Sequence, residues 1–257
     1  MEDVITEAPP PSRFFKEELN NFTPPSLPLP SPFVLFSNPK PEKPLRPELL
    51  LIAISSPSLF LFHNISSKTL IGSLILPEIP FAGNTLEPSL GDKSCNIYSL
   101  NNDNSTLLVA FQFSVPAERA HHTAKLLIDN QIIPERVLIL DSIQSRNFRG
   151  KLPPDDSLFF KLETSAERNN SKTTCSNLLK GINYFPSGSI IDGLSAALLS
   201  RCQIRNIKAT LGLSWPESGP SATSLIKSAL KTALPNLKTN EEASGKAAHM
   251  NNSELYT

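Results

Sequence analysis

Proline is distributed unevenly along this chain, and its distribution limits what the first part can fold into. About half of the 24 prolines precede Leu49, in runs such as Pro24-Pro25-Ser26-Leu27-Pro28-Leu29-Pro30. Because proline fixes φ and has no backbone N–H, these runs cannot form continuous helix or sheet. The sequence therefore predicts an extended, largely disordered leader over residues 1–46. The apolar segment Phe33-Val34-Leu35-Phe36 is the exception, and we expect it to pack on the body or on a partner as an edge strand.

Beyond Leu49 the pattern becomes typical of an α/β protein, with apolar runs alternating with helical segments. Leu49–Ile54 and Leu59–Phe62 predict two strands, linked as a hairpin through residues 55–58. Thr106–Val115 predicts a further strand, and the helix after Pro116 leads to another at Val137–Leu140. A strand, a helix and a strand in this order predict a crossover between parallel strands.

The rest of the chain repeats this alternation after two polar loops, which are predicted at 142–156 and 163–174 around an apolar patch at 158–160. A helix at 190–204, a strand at 207–213 and a helix at 223–234 follow. We therefore predict a mixed, largely parallel central sheet with helices on both faces. The predicted domain covers residues 47–237, and residues 238–257 form a flexible C-terminal tail.

Charge and cysteine content exclude several classes of protein. Lysine plus arginine equals aspartate plus glutamate at 24 each, so no net charge attracts nucleic acid or an anionic membrane. The most apolar stretch, Leu49–Ile65, is too short and too polar for a membrane span. An acidic N-terminus predicts no secretory signal, and three widely spaced cysteines predict free thiols in a reducing compartment. We expect the protein in the cytoplasm, with the nucleus as the alternative.

No catalytic or metal-binding set is recognisable. His121 and His122 are adjacent on a predicted helix, so their side chains diverge by about 100° and cannot share one metal. Ser195 follows Gly193 but lacks the second glycine and the strand-to-helix turn of a nucleophile elbow, and Cys202 is predicted to be a small buried residue. Phosphate-binding glycine motifs are absent from the sequence. We therefore predict that the protein is not an enzyme and has no catalytic residue, metal site or cofactor.

The last three residues, Leu255, Tyr256 and Thr257, combine the groups of a compact docking peptide. The terminal carboxylate can pair with a lysine in a partner's pocket, the phenol ring adds rigid amphipathic area, and Leu255 can fill an apolar notch. Residues 238–254 are polar and lack apolar periodicity, so they predict a flexible tether. These three residues are the predicted protein-binding site.

Two segments of the C-terminal half carry a family resemblance. The first is Ile190–Ser200 (IIDGLSAALLS) with Cys202-Gln203 and the strand that follows, and the second is the helix at 223–234 together with Leu255-Tyr256-Thr257. In order and spacing they resemble the proteasome assembly chaperone 1 family, whose helix-strand segment has an Asp-Leu-x-Ala-Ala-x-Leu-Ser-x-Cys-Gln type of pattern. The proline-rich leader and the long loops depart from that pattern.

The resemblance implies a non-catalytic scaffold that pairs with a second, related chaperone, similar to proteasome assembly chaperone 2, on one face of the proteasome α-subunit ring. The hydrophobic-Tyr-any tail would enter a pocket between neighbouring α-subunits. Tyr256 would hold the register, and the carboxylate of Thr257 would pair with a pocket lysine. Occupied pockets would also block premature binding of regulators and association of one ring with another.

Two other functions stay open at this point. An α/β enzyme without a recognisable motif would need converging titratable groups at the carboxyl ends of strands, near residues 114–116, Asp141 and Ser214. A proline-rich adaptor would instead use residues 24–32 as a polyproline II ligand for an SH3 or WW-type domain.

Overall fold

The computed structural model describes residues 30–37, 44–85, 88–100, 104–153, 156–173 and 178–234. Most of the predicted leader and the predicted tail, with its docking residues, lie outside these ranges.

Nine strands in the described ranges form a single mixed sheet. They are β1 (Phe33–Phe36), β2 (Leu49–Ala53), β3 (Lys68–Ile75), β4 (Cys95–Leu100), β5 (Thr106–Phe111), β6 (Arg136–Ser142), β7 (Leu158–Glu163), β8 (Asn183–Tyr184) and β9 (Lys208–Trp215). The helices are α1 (Ser56–His63), α2 (Ala117–Leu127), α3 (Ser165–Thr173), α4 (Gly193–Ile204) and α5 (Pro220–Ala233). No helix of this described part is both long and apolar enough to cross a lipid bilayer.

The strand order is β1-β3-β4-β5-β2-β6-β9-β7-β8. The four central strands β5, β2, β6 and β9 are parallel to one another. Beyond β5 the sheet continues with β4, β3 and β1, and each of these strands is antiparallel to the one before it. On the opposite side β7 is antiparallel to β9, and the short β8 is parallel to β7. The predicted crossover is confirmed, because β5 and β6 are parallel to each other and lie on the two sides of β2.

Two hydrophobic clusters hold helices to the two faces of the sheet. Leu127 of α2 and Leu198 of α4 pack on one face, while Phe62 of α1 and Ile226 of α5 pack on the other. Every residue of β2 is buried, as expected for a parallel strand covered on both faces. The predicted α/β layers with helices on both faces are thus confirmed.

The predicted strand at Leu59–Phe62 is wrong, because these residues belong to α1. Pro57 lies in the first turn of this helix, where a missing N–H leaves no hydrogen bond unmade. The Ser58 hydroxyl donates to the carbonyl of Ser55 at 2.7 Å. A short apolar run fits a strand and a buried helix equally well, and the proline decides between them.

The predicted loop at 163–174 is also wrong, since it holds the end of β7 and the helix α3. Thr164 precedes α3, and its hydroxyl accepts the Glu167 N–H at 3.4 Å while donating to the Ile207 carbonyl at 2.9 Å. The loop predicted at 142–156 contains a 3-10 turn at Ser145–Asn147, and the patch at 158–160 starts β7. Strands β3 and β4 were not predicted.

Candidate interaction surface

Among the residues that the structure describes, no helix covers the β1 end of the sheet face that carries α1 and α5. Leu35 lies opposite Ser73 of β3, which in turn lies opposite Asn96 of β4. Directly paired residues share a face of a sheet, as do residues two apart in a strand. Phe33 therefore lies on the same face as Leu35, and Leu70 lies there beside its partner Tyr98.

The side chains of Phe33, Leu35 and Leu70 together form an exposed apolar strip. Their exposed fractions are 43%, 57% and 43%. Helix α1 contacts β2 and β5, and α5 contacts β7 and β9, so both helices lie on the far side of β4 from the strip. Neighbouring apolar side chains left exposed on a sheet face are typical of a surface that binds another protein.

A glycine in β3 brings β1 close enough to build this strip. A Cβ atom at Gly72 would lie 2.7 Å from the Leu35 carbonyl oxygen and 3.0 Å from the Phe36 ring. The strand also has a β-bulge between Leu70 and Gly72, which changes its register against β4. Any larger residue at position 72 would push the edge strand away.

A shallow cleft beside the strip lies between the end of α1 and the loop at 88–90. The Lys68 Nζ donates to the carbonyls of Phe62, at 2.8 Å, and His63, and lies 5.4 Å from the centre of the Tyr98 ring. Burial lowers the pKa of Lys68 to about 8. The cleft has a volume of about 10 Å³, room for one water molecule. Lys68 therefore serves to cap the last carbonyls of α1.

At the carboxyl ends of the parallel strands the structure brings Asp141, Ser195 and Ser214 together. The Ser195 hydroxyl donates to the Asp141 carboxylate, and the Ser214 hydroxyl donates to the Asp141 carbonyl at 3.4 Å. Residues 114–116 follow β5, which is two strands away from β6. The hydrogen bond between Ser195 and Asp141 connects α4 to β6. Among the described residues, no group of three or more His, Cys, Asp or Glu side chains could hold a metal ion.

The predicted docking residues Leu255, Tyr256 and Thr257 follow α5, beyond the last described residue, so the structure does not test them. Sequence reasoning predicted Phe33 and Leu35 as part of an edge strand but missed Leu70. The sequence signal for β3 was weak, because Leu74, Ile75 and Leu76 are all apolar and do not alternate with polar residues. A strand with one covered face usually shows a clear alternation of apolar and polar residues, and this one does not.

Comparison with known proteins gives one clear sequence relative. No family model matches this chain. The chain is 26% identical over 132 residues to a protein of Dictyostelium discoideum named proteasome assembly chaperone 1. The match covers 49% of this chain and 44% of that relative, so less than half of the relative's length is represented. The resemblance inferred from the C-terminal segments is confirmed by this relative.

Solved structures share the fold. Pyrococcus furiosus PbaA, described as an archaeal homolog of proteasome-assembly chaperone, has a TM-score of 0.61 and 19% identity over 85% of this chain and 92% of its own. Pyrococcus furiosus PbaB, described as an archaeal proteasome activator, has a TM-score of 0.58 and 13% identity over 85% and 94%. At these identities the comparison establishes a common fold.

Proposed function

We propose that this chain is a non-catalytic chaperone that helps to assemble the α-ring of the proteasome core particle. The similarity to the Dictyostelium protein named proteasome assembly chaperone 1 carries this proposal. The fold shared with archaeal PbaA supports it. An exposed apolar strip on a folded body also suits a protein that binds other proteins.

The chaperone makes two kinds of contact with α-subunits. The apolar strip gives the folded body a surface for one subunit, and Leu255-Tyr256-Thr257 enters a pocket between neighbouring subunits. A three-residue anchor binds weakly alone, but joining it to a body contact can raise the overall affinity by roughly 10² to 10⁴. A second, related chaperone paired with this chain supplies a further anchor.

Occupation of the α-subunit pockets also gives the chaperone a guarding role. While Tyr256 and the carboxylate of Thr257 fill a pocket, a regulator with a similar tail cannot bind there. The same occupied face of the ring cannot join another ring. The proposal places this activity in the cytoplasm, with the nucleus as the alternative.

Removal of the chaperone from its source cells tests this function. We expect fewer complete core particles and more incomplete α-subunit complexes on native gels, with recovery when the full chain is returned. The Ser195→Ala variant serves as the matched control and should restore assembly equally, because Ser195 only ties α4 to β6. Unchanged assembly after removal would contradict the proposed function, and a requirement for the Ser195 hydroxyl at normal stability would favour an enzyme.

A further inference from the structure

The ammonium group of Lys68 can bind one more acceptor than the end of α1 supplies. It donates to the carbonyls of Phe62, at 2.8 Å, and His63, whereas a protonated lysine has three N–H donors. Among the described residues, no carboxylate forms an ion pair with Lys68. The cleft beside it has room for one water-sized group, which is also the room that one carboxylate oxygen needs. The cleft therefore fits an anionic group that approaches from solvent.

Exposed apolar side chains adjoin this ammonium group. Leu70 lies two residues further along β3, so it is on the same face of the sheet and about 7 Å from Lys68. Its exposed fraction is 43%, and that of Leu90, which lines the cleft together with Lys68, is 39%. The complementary ligand is a peptide that carries a carboxylate and a large apolar side chain at a short spacing.

The C-terminal tail carries such a pattern at one place, Glu254-Leu255-Tyr256. Elsewhere in the tail no aspartate or glutamate adjoins a large apolar residue. In an extended peptide, side chains two residues apart lie on one side and about 7 Å apart. Glu254 and Tyr256 thus have the spacing of Lys68 and Leu70.

The tail begins close enough to reach the cleft. Helix α1 follows β2 and α5 follows β9, and because these strands are parallel, both helices run back towards the amino ends of the strands. Lys68 begins β3 at that same end. The two helices contact each other, and the cleft lies on the other side of α1 from α5, roughly 20 Å away for helices 10–12 Å across. A flexible chain of about 20 residues, from Leu234 to Glu254, has an end-to-end distance of about 25 Å.

We propose that the cleft at Lys68 binds the chain's own C-terminal tail, with the Glu254 carboxylate on the Lys68 ammonium and the Tyr256 ring against Leu70. A tether whose length matches the span gives an effective concentration on the order of millimolar, so even a weak contact forms within one chain. A protein that covers Leu70 displaces Tyr256, and the tail then becomes available to other partners. The inference rests on the cleft and on the tail sequence, and it does not depend on the proposed function.

Carbodiimide coupling of the full chain, followed by mass spectrometry of the monomer, tests this contact without any proteasome component. The reagent joins an amine directly to a carboxylate, so a link should form between Lys68 and Glu254. Leu70→Ser should lower the yield of this link at least several-fold, because Tyr256 loses its contact while both coupled groups stay. Leu35→Ser is the matched control, since it removes an exposed leucine of the same strip in β1 and should leave the yield unchanged.

NMR relaxation of the backbone amides gives a second readout that needs no reagent. In the full chain the transverse relaxation of Tyr256 should be faster than that of Gly245 in the tether, and Glu254→Gln should bring the two rates together. Equal rates in the parent chain would overturn the inference. So would the absence of the link in the monomer, or an equal yield after Leu70→Ser. A link found only between two copies would also overturn it, because the bound tail would then belong to another chain.

Discussion

The hydroxyl of Ser195, in the first turn of α4, donates a hydrogen bond to the carboxylate of Asp141 at the end of β6. Burial raises the pKa of Asp141, although hydrogen bonds from the Ser195 hydroxyl and the Ser142 N–H act in the opposite direction. Taking a carboxylate out of water is unfavourable unless its partners compensate fully. The pair therefore joins a helix to the sheet at some cost to stability at neutral pH.

Replacing this carboxylate with an amide should stabilise the protein at neutral pH. A carboxyl group with a raised folded-state pKa contributes stability that is complete below its unfolded pKa and is lost as pH rises through the folded value. Asp141→Asn keeps an oxygen that can accept the Ser195 hydroxyl but cannot ionise. Urea unfolding should show a higher midpoint for the variant at pH 7 and nearly equal midpoints near pH 3.5. A variant that is less stable than the parent by the same amount at both pH values would contradict this account.

Removal of the Glu167 carboxylate should lower stability, because the positive charge of a guanidinium compensates for its burial. The Arg136 Nε donates to one Glu167 carboxylate oxygen at 3.0 Å and its Nη2 donates to the other, which joins β6 to α3. The Glu167 side chain has no exposed area. Glu167→Ala removes this carboxylate from beside a largely buried arginine, so we expect a loss of about 3 kcal/mol in the free energy of unfolding. Glu118→Ala, at an exposed position of α2, should change it by less than about 0.5 kcal/mol.

The central strands could be predicted from the sequence because their burial on both faces requires unbroken apolar runs. Residues 49–53 and 137–140 show this directly. The polar helix α3 could not be predicted in this way, since its stability depends on Thr164 and on the Arg136 ion pair more than on an apolar stripe. Strand β3 lacks a regular alternation of apolar and polar residues, and its exposed positions are the consecutive residues Thr69 and Leu70, so its sequence did not indicate Leu70. The tail residues remain a prediction from sequence alone.

The apolar strip should be needed for binding and dispensable for folding. Phe33→Ser with Leu35→Ser removes the two members that lie in β1, both at about half-exposed positions, so the unfolding free energy should fall by only about 1 kcal/mol. Capture of α-subunits by the purified protein should fall at least several-fold. Ile190→Ser with Ile204→Ser is the matched control, since these residues are 63% and 70% exposed. Ile190 lies three residues before α4 and Ile204 is its last residue, and α4 packs on the opposite face of the sheet. Equal capture by both double variants would argue against the strip.

Tyr256 should matter for ring binding and not for stability. Tyr256→Ala should leave the unfolding free energy within about 0.5 kcal/mol, as substitutions away from packed groups usually do. Association with α-rings should weaken clearly, because one anchor of a multivalent contact is lost. Surface-bound α-rings and a concentration series of each variant measure this directly. Tyr256→Phe keeps the ring area, so an intermediate affinity would assign a separate role to the phenol hydroxyl.

The most direct test is quantitative affinity purification of the full chain beside a version that lacks Leu255, Tyr256 and Thr257. Mass spectrometry would measure every protein retained by each. The account predicts that the full chain retains proteasome α-subunits and one related chaperone, and that the shortened chain keeps the related chaperone but retains far less of the α-subunits. Failure of the full chain to retain any α-subunit would contradict the assembly-chaperone account, and equal retention by both forms would remove the tail from it.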